Sequence, residues 1–480
     1  MSKTIRIING LVFDGLGSGG RRSDLLLRDD TIVALGRPIP GTADLTLDAD
    51  GKAVAPGFID THSHASGGIL DHRHAETQVR QGITTAIVGQ DGSSEFPLAD
   101  WFARLERTPA AINFASFVGH GTVRDRVVGK DYRRPSTPDE IRRMCGLVEQ
   151  EMKAGALGLS SGLEYDPGLF AGTDEVIALA KIAARFRGLY ISHVRDEENE
   201  ALASFKELIR VAEEGRLPAQ ISHIKLASSP VWGKAKEVFR LMDEARRRGV
   251  DITADVYPYT YWQSSIIVLI PTREWDRRDL WETGLAEIGG AKNVLLSRYE
   301  PDARWQGKTL ADIATMTGKD PVSVIQEIVK RTRSEPRAGE SVVVTAMQEK
   351  DLKAFLTHPR IMFCTDGGLR GSHPRGAGSY PRILGKYVRE ERVLPLKEAI
   401  RKATSLPAWR MGLKDRGTIA VGKKADLVLF DPRTIHDTAT TNDPQSVPVG
   451  LTDVLVNGVP VLRDGQPTGE YPGRVLRRSA

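Results

Sequence analysis

The sequence predicts an α/β chain built as a (β/α)8 barrel, and three observations predict it. From Phe58 onward, apolar strand runs alternate with helical patterns, the mark of βαβ units and a parallel sheet. Eight such runs can be counted, the number that closes a barrel. Both ends of the chain have a different texture, short strands broken by turn residues, so a β-satellite built from the two termini is expected beside the barrel.

Taken in order, TIRIINGLVFDG, SDLLLRDDTIVALG and ADLTLDADGKAVAPG read as antiparallel strands with Gly-rich joints. The barrel strands are then GFIDTHSH, TTAIVGQD, NFASFVGHG, ALGLSSGLEY, LYISHVRDE, AQISHIKL, DITADVYPY and IMFCTDGG, with helices expected at 137–154, 174–186, 199–214 and 234–248. The stretch between the seventh and eighth strands is far longer than a crossover needs. It holds its own helical pattern, DPVSVIQEIVKRTR, and strand pattern, SVVVTAM, so an inserted cap is expected over about 271–345. After a final barrel helix near 395–412, GTIAVGKKADLVLFDP and LTDVLVNGVPVLRDGQP return to β texture. Residues 1–56 and 415–480 are therefore expected to pair into one small β-sandwich, with the barrel spanning 57–414.

Composition narrows the class. The chain has 480 residues, 40% hydrophobic and 27% charged, which is ordinary globular usage and excludes a disordered or fibrous protein. Its net charge of +5 arises from 67 basic and 62 acidic residues spread along the chain. The densest basic stretch, Arg246 to Arg248, reads as an exposed helix end, so no nucleic-acid partner is expected. Cys145 and Cys364 stand alone, which leaves neither a disulfide framework nor a zinc ribbon and fits a reducing cytoplasm. The first residues lack an apolar core of signal-peptide type, and no run reaches the roughly 18 apolar residues a membrane span needs. Neither secretion nor a membrane is expected.

In a barrel of this kind, catalytic groups gather at the C-terminal ends of the strands, where the loops converge. Strand one ends Asp60-Thr61-His62-Ser63-His64, and in an extended chain His62 and His64 point to the same side and can reach one cation. Alone, that pair reads equally well as two surface histidines. Strands five and six end Ser192-His193-Val194-Arg195 and Ser222-His223-Ile224-Lys225, and further imidazoles at matching ends make coincidence a poor explanation. Strand eight ends Cys364-Thr365-Asp366-Gly367-Gly368, a carboxylate that can bind a metal and shuttle a proton. Lys225 lies two positions after His223, on the same face, and Arg375 offers a planar fork. Together they suit a small-molecule substrate with a free carboxylate. His120, at the end of strand three, has no ligand role, and His72, His74, His358 and His436 read as structural or solvated.

With those residues in place, the chain resembles the amidohydrolase superfamily: PGFIDTHSH opens the barrel, SHVR and SHIK follow, CTDGG ends it, and GTIAVGKKADLVLFDP closes the sandwich. Within that superfamily it looks closest to the D-aminoacylase group, the N-acyl-D-amino-acid deacylases, through GITTAIVGQDG, GLSSGLEYDPG, ISHVRDE, QISHIK, ADVYPY and SHPRGAGSYPRILG. The likeness covers nearly the whole chain. It implies hydrolysis of the amide of N-acyl-D-amino acids to a carboxylic acid and a free D-amino acid, with one or two divalent ions, zinc foremost. By the same resemblance, Lys225, Arg375 and Tyr257 grip the amino acid's carboxylate, and Tyr165 contacts the substrate. The preference for D-substrates is inherited from the resemblance alone.

One departure matters. The group carries a cysteine ligand in the loop after strand two, where this chain reads Gly89-Gln90-Asp91-Gly92 and puts Asp91. Many amidohydrolases bridge two metals with a carboxylated lysine at the end of strand four, but this strand ends Ser160-Ser161-Gly162-Leu163-Glu164-Tyr165. Glu164, with Asp91, is therefore expected to replace the cysteine and to hold a second ion beside His193 and His223. Carboxylates favour harder metals, so tolerance of manganese or cobalt is expected. The alternative for Glu164 is a loop ion pair with Arg195.

The expected chemistry follows. Asp366 takes a proton from the attacking water and passes it to the departing nitrogen, while His62 and His64 bind the ion nearer Asp366. Competing readings are a cyclic-amide hydrolase of the dihydroorotase or hydantoinase kind, a dipeptidase acting on a D-residue, and a barrel that binds a small molecule without turnover. The carboxylate clamp and the missing strand-four lysine weigh against the first two, and Asp366 against the third. Side-chain preference depends on the loops around Tyr261, Trp262 and Gln263 and on the insertion.

Overall fold

A computed structural model describes residues 2–334 and 339–478. Residues 335–338 of the expected cap, and residues 1 and 479–480 of the expected sandwich, lie outside the described residues. The eight barrel strands are Phe58–Asp60, Ile83–Val88, Asn113–Ser116 (continued by Val118–Gly119), Gly158–Gly162, Leu189–His193, Ala219–Ile221, Ile252–Val256 and Ile361–Phe363. Neighbours pair in parallel throughout. Strand eight closes onto strand one through the parallel bridge of Ser63 with Gly367, and the Asp366 N–H donates to the His62 carbonyl at 2.8 Å. This seam brings the HxH segment against Asp366.

Burial explains the strand composition. Ile83–Val88, Leu189–His193 and Ile252–Val256 are buried at every position, as strands covered by helices on one face and filling a barrel on the other must be. The outer helices include Pro138–Lys153, Thr173–Arg185, Ala201–Gly215 and Ala235–Arg247. The first of these starts on a Thr137/Glu140 capping box with Pro138 just inside, so its orphan N–H groups are satisfied locally.

Both termini join one nine-stranded sheet. Ala53–Pro56 pairs antiparallel with Leu427–Phe430, and the sheet continues through Thr4–Val12 and Arg21–Arg28 on one side and Leu451–Val456 and Val459–Arg463 on the other. A bridge from Thr31 to Lys424 folds the sheet back on itself around a small core that includes Ile7, Leu25, Leu27, Ile32, Leu427 and Leu429, giving the sandwich. Asn457 and Gly458 both take positive φ in the two-residue turn between Leu451–Val456 and Val459–Arg463, as an Asn-Gly turn requires. The last described residues run back along barrel strand three, where Val475 bridges Phe114.

The insertion folds as a separate cap. Its four-stranded antiparallel sheet contains Tyr261–Ser264, Glu340–Thr345, Val294–Tyr299 and Lys308–Thr309, and it has its own core around Trp281, Leu296, Ile325 and Val342. Tyr261–Ser264 belongs to this sheet, so the cap begins at the end of barrel strand seven, ahead of the expected 271. Among the described residues, no helix is long and apolar enough to cross a membrane.

Candidate active site

Groups from five strand ends meet at the top of the barrel, at the floor of a cavity of about 620 Å³ roofed by Trp262, Gln263 and Val268 of the cap. His62 Nε2 lies 3.3 Å from both carboxylate oxygens of Asp91 and 3.5 Å from Asp366 Oδ1. His64 Nε2 lies 3.1 Å from Asp366 Oδ1 and 3.3 Å from Asp91 Oδ2. His223 Nε2 is 3.4 Å from Asp91 Oδ1 and 3.0 Å from His193 Nδ1. Asp91 thus stands between the His62/His64 pair and the His193/His223 pair. Ligand atoms of His62, Asp91, His223 and Asp366 all lie within 4.8 Å of one another.

The backbone is bent to achieve this. Asp91, His223 and Asp366 take φ of 54°, 32° and 51°, left-handed values that cost an L-residue and that cluster at functional sites. Buried carboxylates hold these bends. Asp255 accepts from the His223 N–H at 2.5 Å, from Gln220 and from Thr61. Asp60 accepts from the Thr365 backbone and hydroxyl, tying strand one to strand eight beside Asp366.

Glu164 does not join the converging set, against expectation. Its Oε2 is 2.6 Å from Nε2 of His193, on the far side of the ring from the Nδ1 that faces His223. It can therefore fix the ring's orientation and tautomer, the way carboxylates support ligand histidines. The alternative pairing with Arg195 is also absent, because Arg195 is engaged by Glu207 at 2.8–2.9 Å. Glu197, which carried no assigned role although it sits in ISHVRDE four residues after His193, does the same for the other ring: its Oε1 is 3.2 Å from His223 Nδ1. Strand ends show which residues are near a centre; which side of an imidazole each carboxylate takes depends on loop geometry that periodicity does not encode.

Lys225, Arg375 and Tyr257 come together as expected, though both cations already have carboxylate partners. Lys225 Nζ donates to both oxygens of Glu197 at 2.7 and 2.8 Å and touches His223 Nδ1 at 2.6 Å. Arg375 Nη1 is 2.6 Å from Asp366 Oδ2. Between them, the Tyr257 ring has the Lys225 nitrogen 5.7 Å and the Arg375 guanidinium 4.9 Å from its centroid, and its buried hydroxyl has no hydrogen-bond partner. His373 steadies Arg375 by accepting its backbone N–H at 2.9 Å. Tyr165 stands over His193, hydroxyl 3.3 Å from Nδ1. His120 is structural, bonded to Glu175 at 2.8 Å beside Arg124.

Charge in this buried cluster is held by mutual pairing. Burial opposes ionisation of Asp366, but Arg375 and the imidazoles of His223, His64 and His62 outweigh it and hold the carboxyl well below the usual range. Asp91 is lowered in the same way by His62 and His223. Against burial, Asp366 and Asp91 push His64 up to about 9. His223 rises to about 10, with burial and Lys225 opposing and Asp366, Glu197 and Asp91 prevailing. Burial raises Tyr257 to about 12, so its hydroxyl stays protonated and remains a donor.

The residues fit a divalent cation. Asp91 Oδ1 is buried with no hydrogen-bond donor assigned to it, 3.3 Å from His62 Nε2 and 3.4 Å from His223 Nε2, and the mixed imidazole and carboxylate donor set is one that zinc, manganese and cobalt all accept. A (β/α)8 barrel with this set at the C-terminal ends of its strands defines the class of metal-assisted hydrolases.

Comparison carries the assignment to the family. A model described as "Amidohydrolase family" matches residues 45–270 and 295–462, and the chain belongs to that family. It is 34% identical to a D-aminoacylase of Alcaligenes xylosoxydans xylosoxydans, covering 99% of this chain and 97% of that one. It is 35% identical to an N-acyl-D-glutamate deacylase of the same organism, covering 99% and 96%. The crystal structure of an N-acyl-D-glutamate deacylase from Bordetella bronchiseptica, complexed with zinc and a phosphonate mimic of the tetrahedral intermediate, superposes with a TM-score of 0.88 at 32% identity over 98% of this chain and 99% of that one.

Proposed function

We propose that this protein hydrolyses the amide bond of N-acyl-D-amino acids, releasing a carboxylic acid and a free D-amino acid. The observation that carries the reading is the pairing of two features in one cavity: the His62, Asp91, His223 and Asp366 cluster with His64 against its two carboxylates, and the unpartnered Tyr257 hydroxyl flanked by Lys225 and Arg375. Relatives similar along nearly their whole length are deacylases of this kind.

In this reading, His62, His64, Asp91, His193, His223 and Asp366 hold one or two divalent ions, zinc foremost, with manganese or cobalt accepted. When bound, such an ion polarises an amide carbonyl and lowers the pKa of water from about 15.7 to about 7. Tyr257 donates to the substrate's α-carboxylate while Lys225 and Arg375 supply the countercharge, which orients the scissile amide toward Asp366. Asp366, ionised at rest, takes a proton from the attacking water and delivers it to the departing nitrogen, which leaves as an amine. Glu164 and Glu197 keep the His193 and His223 rings aligned throughout. Two unpaired cysteines, Cys364 buried and Cys145 half-buried, favour a cytoplasmic enzyme acting on small molecules.

The test is a screen of N-acetyl D- and L-amino acids, dipeptides and hydantoins against zinc-reconstituted protein, beside Asp366→Asn. Turnover of N-acetyl-D-amino acids is expected, with kcat reduced about 10²–10⁴-fold in the variant. Activity confined to ring opening, or unchanged kcat in Asp366→Asn, overturns the reading.

A further inference from the structure

We infer that Arg273, a residue of the cap, is a positioning residue for the metal centre: its guanidinium pins the backbone of Glu164, and through Glu164 and Tyr165 it orients His193. Nη2 donates to the Glu164 carbonyl at 2.5 Å, while Nη1 donates to the carbonyls of Ile267 and Ile270 at 3.2 and 3.3 Å. Nε faces Asp166 Oδ1 at 3.8 Å. One planar fork therefore spans from the first turn of the cap to the end of barrel strand four. The residues it fixes are those that touch His193: the Glu164 carboxylate on Nε2 and the Tyr165 hydroxyl near Nδ1. The Tyr165 ring also packs against the cap's own core, so cap and strand end are held together at two points.

The residue sits there at a cost. Its side chain is only 7% exposed, its Nε lacks a hydrogen-bond acceptor, and its backbone φ of 60° is left-handed, a conformation unfavourable to any residue with a Cβ. A loop that needed only this turn would be served better by glycine. What glycine cannot supply is a fork of donors reaching three carbonyls on two elements, and lysine, a single point of charge, cannot supply it either.

That contrast sets the experiment, which rests on the proposed metal centre and tests it separately through zinc binding by the wild-type protein. Metal-free wild type, Arg273→Gly and Arg273→Lys are titrated with zinc by calorimetry, with thermal midpoints measured alongside. Arg273→Gly is expected to stay folded, since glycine suits the left-handed backbone and offsets part of the loss of three hydrogen bonds. It should bind zinc about 10–100-fold more weakly, the usual loss when a group supporting a ligand histidine is removed. Millimolar guanidinium ion is expected to restore most of the affinity, and Arg273→Lys is expected to recover little. Wild-type zinc affinity in either variant, or no rescue of folded Arg273→Gly by guanidinium, overturns the proposal. Should Arg273→Gly fail to fold, Arg273→Lys decides alone: weakened zinc binding by folded protein upholds the strut, and wild-type affinity removes it.

Discussion

One carboxylate, Asp91, carries the chemical individuality of the centre. Among the described residues it lies within 3.5 Å of imidazoles from both halves of the cluster, those of His62, His64 and His223, and by resemblance it stands where the D-aminoacylase group carries a cysteine. Oxygen donors bind harder cations than sulfur donors do. Asp91→Cys is therefore expected to raise the preference for zinc over manganese by about tenfold or more in competitive titration. An unchanged ratio would remove Asp91 from the ligand set. The sequence made both Asp91 and Glu164 candidates for this place, and residue type alone could not choose between them. In the structure Asp91 takes a left-handed turn and lies against imidazoles of both pairs, while Glu164 meets His193 on the ring nitrogen opposite the one that faces His223.

Strands and helices were far more legible than that turn. All eight barrel strands and the long outer helices carry their own periodicity, and the structure contains them. The start of the cap was less so, because Tyr261–Ser264 reads as loop after strand seven until its partner Glu340–Thr345 arrives from far along the chain. The support carboxylates Asp60, Asp255 and Glu197 were missed for the same reason: their partners lie on other strands. Strand four and the loop after strand two meet at Gly162, where an added Cβ would fall inside contact distance of the Asp91 carbonyl. Gly162→Ala is expected to destabilise the protein by about 1–3 kcal/mol in chemical denaturation, since rigid backbone must yield on one side. It is also expected to weaken zinc binding by displacing Asp91. Wild-type stability and affinity would show that the two elements part without consequence.

At the scale of the molecule, the site couples protons, metal and fold stability. His64 and His223 sit near 9 and 10, above the ordinary imidazole value of 6.5. A raised imidazole pKa stabilises the metal-free fold fully below about pH 6.5, and that contribution is lost as pH climbs through 9 and 10. Metal competes with protons for the same lone pairs, so its affinity grows over the same range. Both effects have one sign: the difference in thermal midpoint between zinc-loaded and chelator-treated protein is expected to widen from pH 6.5 to pH 10. A difference that stays flat or narrows would exclude these histidines as ligands.

The sheet shared by the two termini also orders events during synthesis. Ala53–Pro56 leaves the ribosome early, yet the edge it offers stays bare until Leu427–Phe430 has been made. At roughly 5–20 residues per second, that wait is long beside the microseconds in which a hairpin forms. The barrel must therefore assemble against a half-built neighbour, and the nascent N-terminal strands form an open β edge for which a chaperone or a second nascent chain can compete.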